Sequence, residues 1–173
     1  MIDIKIENVT EDDAAELLEI YSYYVKNTAI SFECTLPTVE EFRLRIKNTL
    51  KKYPYISAKC DGKIVGYAYA GSFIAREAYK FSAELTIYVD KNFRKCGIGK
   101  KLYGELQERL KKMGITNFYA CIGYPDIEDE YLTLNSVQFH KHLGFTIAGK
   151  FTDCGFKFNR RYSMVWMEKI VAH

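Results

Sequence analysis

Arg94-Lys95-Cys96-Gly97-Ile98-Gly99 stands between an apolar, strand-like run at residues 85–89 and a strongly helical stretch at residues 100–113. A glycine turn that opens a helix is suited to holding an anion. Glycine lets the backbone approach closely, and the helix start directs unpaired N–H groups and the positive end of its dipole outward. Arg94, Lys95, Lys100 and Lys101 add formal charge. The expected ligand is a pyrophosphate, held by Arg94, Lys95, Cys96, Gly97, Ile98, Gly99 and Lys100. Six such letters recur by chance, so the neighbouring elements must decide what the loop belongs to.

Downstream, Leu102, Leu106, Leu110 and Met113 form one helical stripe that Gly114 should stop. A strand at 115–122, an acidic stretch (Asp126, Glu128, Asp129, Glu130), a short helix at 136–142 and strands at 145–154 and 162–170 follow. Upstream, residues 81–89 alternate: Ala83, Leu85, Ile87 and Val89 share one face, and Ser82, Glu84, Thr86 and Tyr88 the other. A carboxylate therefore sits mid-strand. Before it come strands at 55–60 and 63–71 joined by Asp61-Gly62, a favoured hairpin turn. Thr38-x-x-Glu41 is a capping box for a helix that Tyr53-Pro54 ends, and Thr10 with three following acids starts a helix reaching about residue 26. Ile2, Ile4 and Ile6 alternate with charges, which reads as a strand and not as a secretory signal.

The order β-α-α-β-β-β-α-β-α-β-β predicts an α+β fold with a mixed, mostly antiparallel central sheet flanked by helices. The 173 residues, 48% hydrophobic and 27% charged, are expected to form one domain over 1–173. A net charge of +3 is too small for a dedicated nucleic-acid binder, so local anion sites near Arg94 and at Arg160-Arg161 are expected instead. Five scattered cysteines with no CxxC imply neither a disulfide framework nor a zinc site, and free thiols suit a cytoplasmic protein. No apolar run is long enough to span a membrane.

Several ordered blocks accompany the glycine loop: Thr28-Ala29-Ile30-Ser31-Phe32, Gly66-Tyr67-Ala68-Tyr69-Ala70-Gly71, Ala75-Arg76-x-Ala78-Tyr79, Ala83-Glu84-x-Thr86-Ile87-Tyr88-Val89, Ser136-x-x-x-His140-x-x-Leu143-Gly144-Phe145 and Gly155-Phe156-Lys157. Together they resemble the Gcn5-related N-acetyltransferase superfamily, and within it the phosphinothricin acetyltransferase group of amino-acid N-acyltransferases. The resemblance implies acetyl-CoA as co-substrate, no metal, a small-molecule amine as acceptor and a homodimer.

It also implies roles. Glu84 would be the general base, needed because an amine must lose its proton to attack a thioester. Ile87, Tyr88 and Val89 would hold the pantetheine arm and polarise the thioester carbonyl through their backbone. His140, on the face it shares with Ser136, would protonate the departing thiolate. Arg76 with Tyr79 would grip an amino-acid carboxylate, for which a planar guanidinium is suited, and Phe32 would form an apolar wall. Asn135 would touch the cofactor.

Three positions depart from the pattern. Ile74 replaces a lysine found in herbicide-detoxifying members, the acidic segment 126–134 is longer than usual, and Ser163 stands where many relatives have aspartate. The acceptor therefore stays open between an amino acid or analogue of the phosphinothricin or methionine sulfone kind and another amine, such as a peptide N-terminus, polyamine or aminoglycoside. A non-catalytic acyl-CoA-binding module is the further alternative.

Overall fold

The computed structural model describes residues 3–171; Ile2 of the expected first strand lies outside them. Along the chain follow β1 (Lys5–Asn8), α1 (Ala14–Asn27), α2 (Val39–Leu50), β2 (Tyr55–Cys60), β3 (Lys63–Ser72), β4 (Ser82–Val89), α3 (Ile98–Lys112), β5 (Asn117–Tyr124), α4 (Asn135–His142), β6 (Thr146–Lys157) and β7 (Arg160–Ile170). This is the predicted order. One seven-stranded sheet runs β1-β2-β3-β4-β5-β7-β6, antiparallel at every pairing except β4 with β5. The α+β, mixed and mostly antiparallel architecture is therefore as expected. No helix among the described residues is long and apolar enough to cross a membrane.

Local chemistry sets the element ends. The Thr38 hydroxyl accepts from the Glu41 N–H at 3.2 Å while the Glu41 carboxylate accepts from the Thr38 N–H at 2.7 Å, closing the capping box that starts α2. The alternation of β4 divides two cores. Leu85, Ile87 and Val89 pack with Leu102, Leu106 and Phe118 on the α3 side. Tyr88 packs with Tyr21, Phe42 and Tyr67 on the α1–α2 side, so Glu84, two and four residues from Thr86 and Tyr88, faces that tyrosine-rich side.

The C-terminal hairpin is longer than the sequence suggests. Its turn places Phe158 and Asn159 at φ 51° and 58°, a left-handed pair whose phenylalanine hides the usual turn signature. β6 also carries two register irregularities, with Asp153 at φ 50° in the second.

Candidate active site

β4 and β5 start as parallel neighbours and then part. Their pairing runs Ser82 with Asn117, Ala83 with Phe118 and Glu84 with Tyr119, and ends there, although both strands continue. The resulting gap is lined by Leu85 to Tyr88 on one side and Ala120 to Gly123 on the other, with Ile30 and Leu132 above and Tyr103, Ser136 and His140 at its inner end. The Leu85 carbonyl faces this gap, since it lies 3.3 Å from the Tyr103 hydroxyl. Strand alternation turns the backbone groups of Ile87 and Val89 to the same edge.

Glu84 stands where the strands separate. Its carboxylate has no hydrogen bond or ion pair among the described residues, and burial holds its pKa above the ordinary carboxylate value. Its charge in turn helps to raise the pKa of Tyr69, Tyr103 and Cys121 behind the larger effect of their own burial, and the Cys121 thiol is pushed up to about 11.

His140 is 3% exposed. Its Nδ1–H donates to the Ser136 carbonyl at 2.7 Å, which leaves Nε2 to accept from the Tyr103 hydroxyl at 3.0 Å. Burial pulls the imidazole pKa down to about 4, so it is uncharged at neutral pH. A group with a depressed cationic pKa favours folding above its unfolded pKa near 6.5 and loses that contribution as pH falls towards 4. In melting curves from pH 7 to pH 4, wild type should therefore lose stability faster than a His140→Gln protein, the difference reaching roughly 3 kcal/mol. Parallel curves would place the acid sensitivity elsewhere.

The glycine loop meets the other end of β4. Gly97 is the N-cap of α3 at φ 77°, a backbone that L side chains rarely adopt, and Lys95 also lies at φ 62°. The first bond into the helix runs from the Lys101 N–H to the Gly97 carbonyl at 3.2 Å. The N–H groups of Ile98, Gly99 and Lys100 precede it and have no intrahelical acceptor. The Ile98 side chain is core, 1% exposed, so this residue can offer a ligand only its backbone. A Cβ on Gly99 would come within 2.8 Å of the Phe139 ring, so this glycine serves the contact between α3 and α4. Cys96 is exposed and only its Sγ contacts the Arg94 carbonyl, at 3.5 Å.

The end of α1 braces the loop. The Arg94 guanidinium lies 5.4 Å from the ring centroids of Tyr23 and Tyr24, and the Tyr24 hydroxyl donates to the Val89 carbonyl. Of the three β4 residues expected along a pantetheine arm, Val89 thus has its carbonyl already engaged. Asn135 is the exposed first residue of α4, its backbone N–H 3.4 Å from the Thr133 hydroxyl.

On the open side, the 28–33 loop is fastened to the C-terminal hairpin. Lys157 donates to the Ser31 carbonyl at 2.7 Å, and the Phe32 ring sits so closely over Gly155 that a Cβ there would lie 2.5 Å from it. This explains why Gly155 and Lys157 occur together. Tyr79 packs edge-on against Phe73, which stacks on Tyr119 at 3.9 Å, beside the last paired position. Arg76 caps the short helical turn Glu77–Tyr79, exposed, and its guanidinium has no bond among the described residues.

Two expectations about charge change. Arg160 is not an anion site: Asp129 and Glu130 engage its guanidinium at 2.8–2.9 Å. Ser163 is tied to the long acidic segment: its hydroxyl donates to Asp126 at 2.7 Å, and Lys150 pairs with the same carboxylate. Tyr103 and Tyr24 were not among the expected site residues; the only sign of Tyr103 is its place beside Leu102 in a buried helical stripe.

A parted parallel strand pair, a half-buried carboxylate at the fork and a glycine turn at a helix start are the arrangement of a group-transfer enzyme. The pattern of the acetyltransferase (GNAT) domain matches residues 6–166, and the chain belongs to that family of acetyltransferases. A phosphinothricin N-acetyltransferase of Alcaligenes faecalis is 33% identical over 93% of this chain and 79% of that protein. Among solved structures, a GNAT-superfamily phosphinothricin acetyltransferase from Sinorhizobium meliloti in complex with acetyl-CoA is 31% identical over 98% of this chain and 89% of its own, with a TM-score of 0.88. A ribosomal-protein-alanine N-acetyltransferase from Brucella melitensis is 32% identical over 96% and 99%, with a TM-score of 0.87.

Proposed function

We propose that this enzyme transfers an acetyl group from acetyl-CoA to the α-amine of a small amino acid or analogue of the methionine sulfone kind, by direct transfer with Glu84 as general base. The observation that carries this reading is the end of β4–β5 pairing at Glu84 itself, which sets a half-buried carboxylate beside unpaired backbone groups. The cradle suits a pyrophosphate: three helix-start N–H groups follow a left-handed Gly97, and the cations Arg94, Lys95 and Lys100 flank them in the chain. Bound acetyl-CoA would supply the activated acetyl thioester.

The chain's own groups divide the remaining work. Glu84 takes the proton from the amine. The Ile87 N–H, on the gap edge, is placed to stabilise charge developing on the acyl oxygen, an effect worth a few kcal/mol. His140, uncharged, accepts the Tyr103 hydroxyl proton at Nε2 and fixes that hydroxyl at the inner end of the gap, so the departing sulfur meets no imidazolium there. Cys121 lines the gap with its thiol held protonated, which favours direct transfer over an acyl-enzyme. Arg76, with Phe32 and Tyr79 as neighbours in role, grips the acceptor carboxylate. A homodimer in the cytoplasm completes the reading, following the family resemblance.

The Brucella relative's name favours a second acceptor, a peptide N-terminus, and Arg76 separates the two. With methionine sulfone as acceptor, Arg76→Ala should raise KM about tenfold or more, the size of a charge-assisted bond, with little change in KM for acetyl-CoA. If wild type prefers an alanyl peptide and Arg76→Ala leaves acceptor KM unchanged, the carboxylate grip is wrong and the peptide reading replaces it.

A further inference from the structure

Two buried side chains, Tyr103 from α3 and His140 from α4, close the inner end of the gap between β4 and β5. We propose that Tyr103, held in place by His140, sets the length of the acyl chain taken from the thioester donor, admitting two carbons and turning away longer tails. The inference rests on the acetyl-CoA reading of the gap and adds which residue measures the acyl group.

The direction of entry brings the tail to this wall. The glycine loop lies beyond the Val89 end of β4, where the strands are parted, and pairing is present only from Glu84 with Tyr119 back to Ser82 with Asn117. A thioester arm anchored at the loop therefore runs down the gap towards the fork, and its acyl tail is the last part to arrive. The amine approaches from the Glu84 face, which leaves the tail the opposite, α3 face. There the Tyr103 hydroxyl stands 3.3 Å from the Leu85 carbonyl, one residue past Glu84. An acyl oxygen held by the Ile87 N–H lies within one two-residue strand repeat of that carbonyl, about 7 Å. Such a span takes a carbonyl and a methyl group before the tail meets the tyrosine.

The wall is firmly held. Tyr103 and His140 are 1% and 3% exposed. The tyrosine hydroxyl donates to Nε2 at 3.0 Å, and Nδ1–H donates to the Ser136 carbonyl at 2.7 Å. Behind them the centroid of the Phe145 ring lies 6.2 Å from that of Tyr103 and 5.3 Å from that of His140, and Phe139 lies 5.7 Å from Tyr103. Side chains packed in this way yield little, so pressing further methylenes against them costs binding. The other face gives the tail no outlet. A tyrosine cavity beneath α2, lined by Tyr21, Tyr55, Tyr67, Tyr69 and Tyr88, lies across the sheet from Tyr103.

The test measures binding of acetyl-, propionyl- and butyryl-CoA by calorimetry without acceptor, in wild type, Tyr103→Phe and Tyr103→Leu, and then kcat/KM for each donor with methionine sulfone. Wild type should bind and use butyryl-CoA about tenfold or more worse than acetyl-CoA. Tyr103→Leu shortens the wall and should raise the butyryl-to-acetyl ratio about tenfold in both measurements. Tyr103→Phe keeps the ring and its packing and loses only the hydroxyl. It should raise the propionyl-to-acetyl ratio about threefold or more with butyryl-CoA still disfavoured, and it decides the matter if Tyr103→Leu does not fold. Equal affinity of wild type for the three donors, or ratios unmoved in every folded variant, would overturn the role of Tyr103 while acetylation of methionine sulfone stood. Shifted affinity ratios without acetylation of methionine sulfone would uphold that role and overturn the acceptor reading. No binding of any of the three donors would overturn the donor reading and this inference with it.

Discussion

Glu84→Gln should lose about 10²- to 10⁴-fold in turnover while binding acetyl-CoA as wild type does and melting at a higher temperature. Glutamine is isosteric and cannot take a proton, so the loss belongs to kcat. The pH profile supplies the sign. Burial raises the Glu84 pKa, so wild-type kcat/KM should climb with pH through a group above the ordinary carboxylate value near 4.3, and that limb should vanish in the variant. The stability gain has the same origin. A carboxyl whose folded pKa is raised contributes stability fully below its unfolded pKa and loses it as pH rises through the folded value. Above its unfolded pKa the wild-type carboxyl carries a penalty that glutamine does not. The variant's Tm should then be higher at pH 7, by about 2–4 °C per kcal/mol recovered, with the advantage shrinking as pH falls. Full activity in Glu84→Gln would remove the proposed base, and an unchanged Tm would show that burial of the carboxylate carries no cost.

Gly97→Val is expected to separate co-substrate binding from chemistry. A Cβ at Gly97 would meet nothing within 4 Å, so the penalty is conformational: φ is 77°, where a β-branched residue is strained by roughly 1–3 kcal/mol. Relief of that strain must turn the loop and with it the N–H groups of Ile98, Gly99 and Lys100. KM for acetyl-CoA should rise more than tenfold, with kcat at saturation near wild type and KM for the amine unmoved. Steady-state kinetics with each substrate varied in turn reads this directly. An equal fall in kcat would mean that the loop positions the base or the acceptor as well as the co-substrate.

Much of this site was legible because its parts are local. The glycine loop, the alternation that puts Glu84 opposite Leu85, and the capping box of α2 each depend on residues a few positions apart. The β4–β5 fork is not local. It joins strands separated by a helix, and alternation continues through Leu85 to Val89 whether or not a neighbour is paired there. Arg160 looked like a free cation because its partners, Asp129 and Glu130, approach from a segment 30 residues away. The bond from Ser163 to Asp126 was hidden for the same reason. The tyrosine cavity draws on α1, β2, β3 and β4, so composition records fourteen tyrosines without showing that several meet. His140 shows a further limit: spacing places it on a face with Ser136, but only the bonds to the Ser136 carbonyl and to Tyr103 fix its tautomer and charge.

The most direct test of the central claim is to incubate the enzyme with acetyl-CoA labelled in its acetyl group and methionine sulfone, following thiol release and the labelled product together by mass spectrometry. The account predicts one N-acetyl amino acid formed per thiol released, no label retained on the protein, and both signals slowed by about 10²-fold or more in Glu84→Gln. Tight acetyl-CoA binding with no amine-dependent thiol release across methionine sulfone, phosphinothricin and the common amino acids would contradict it.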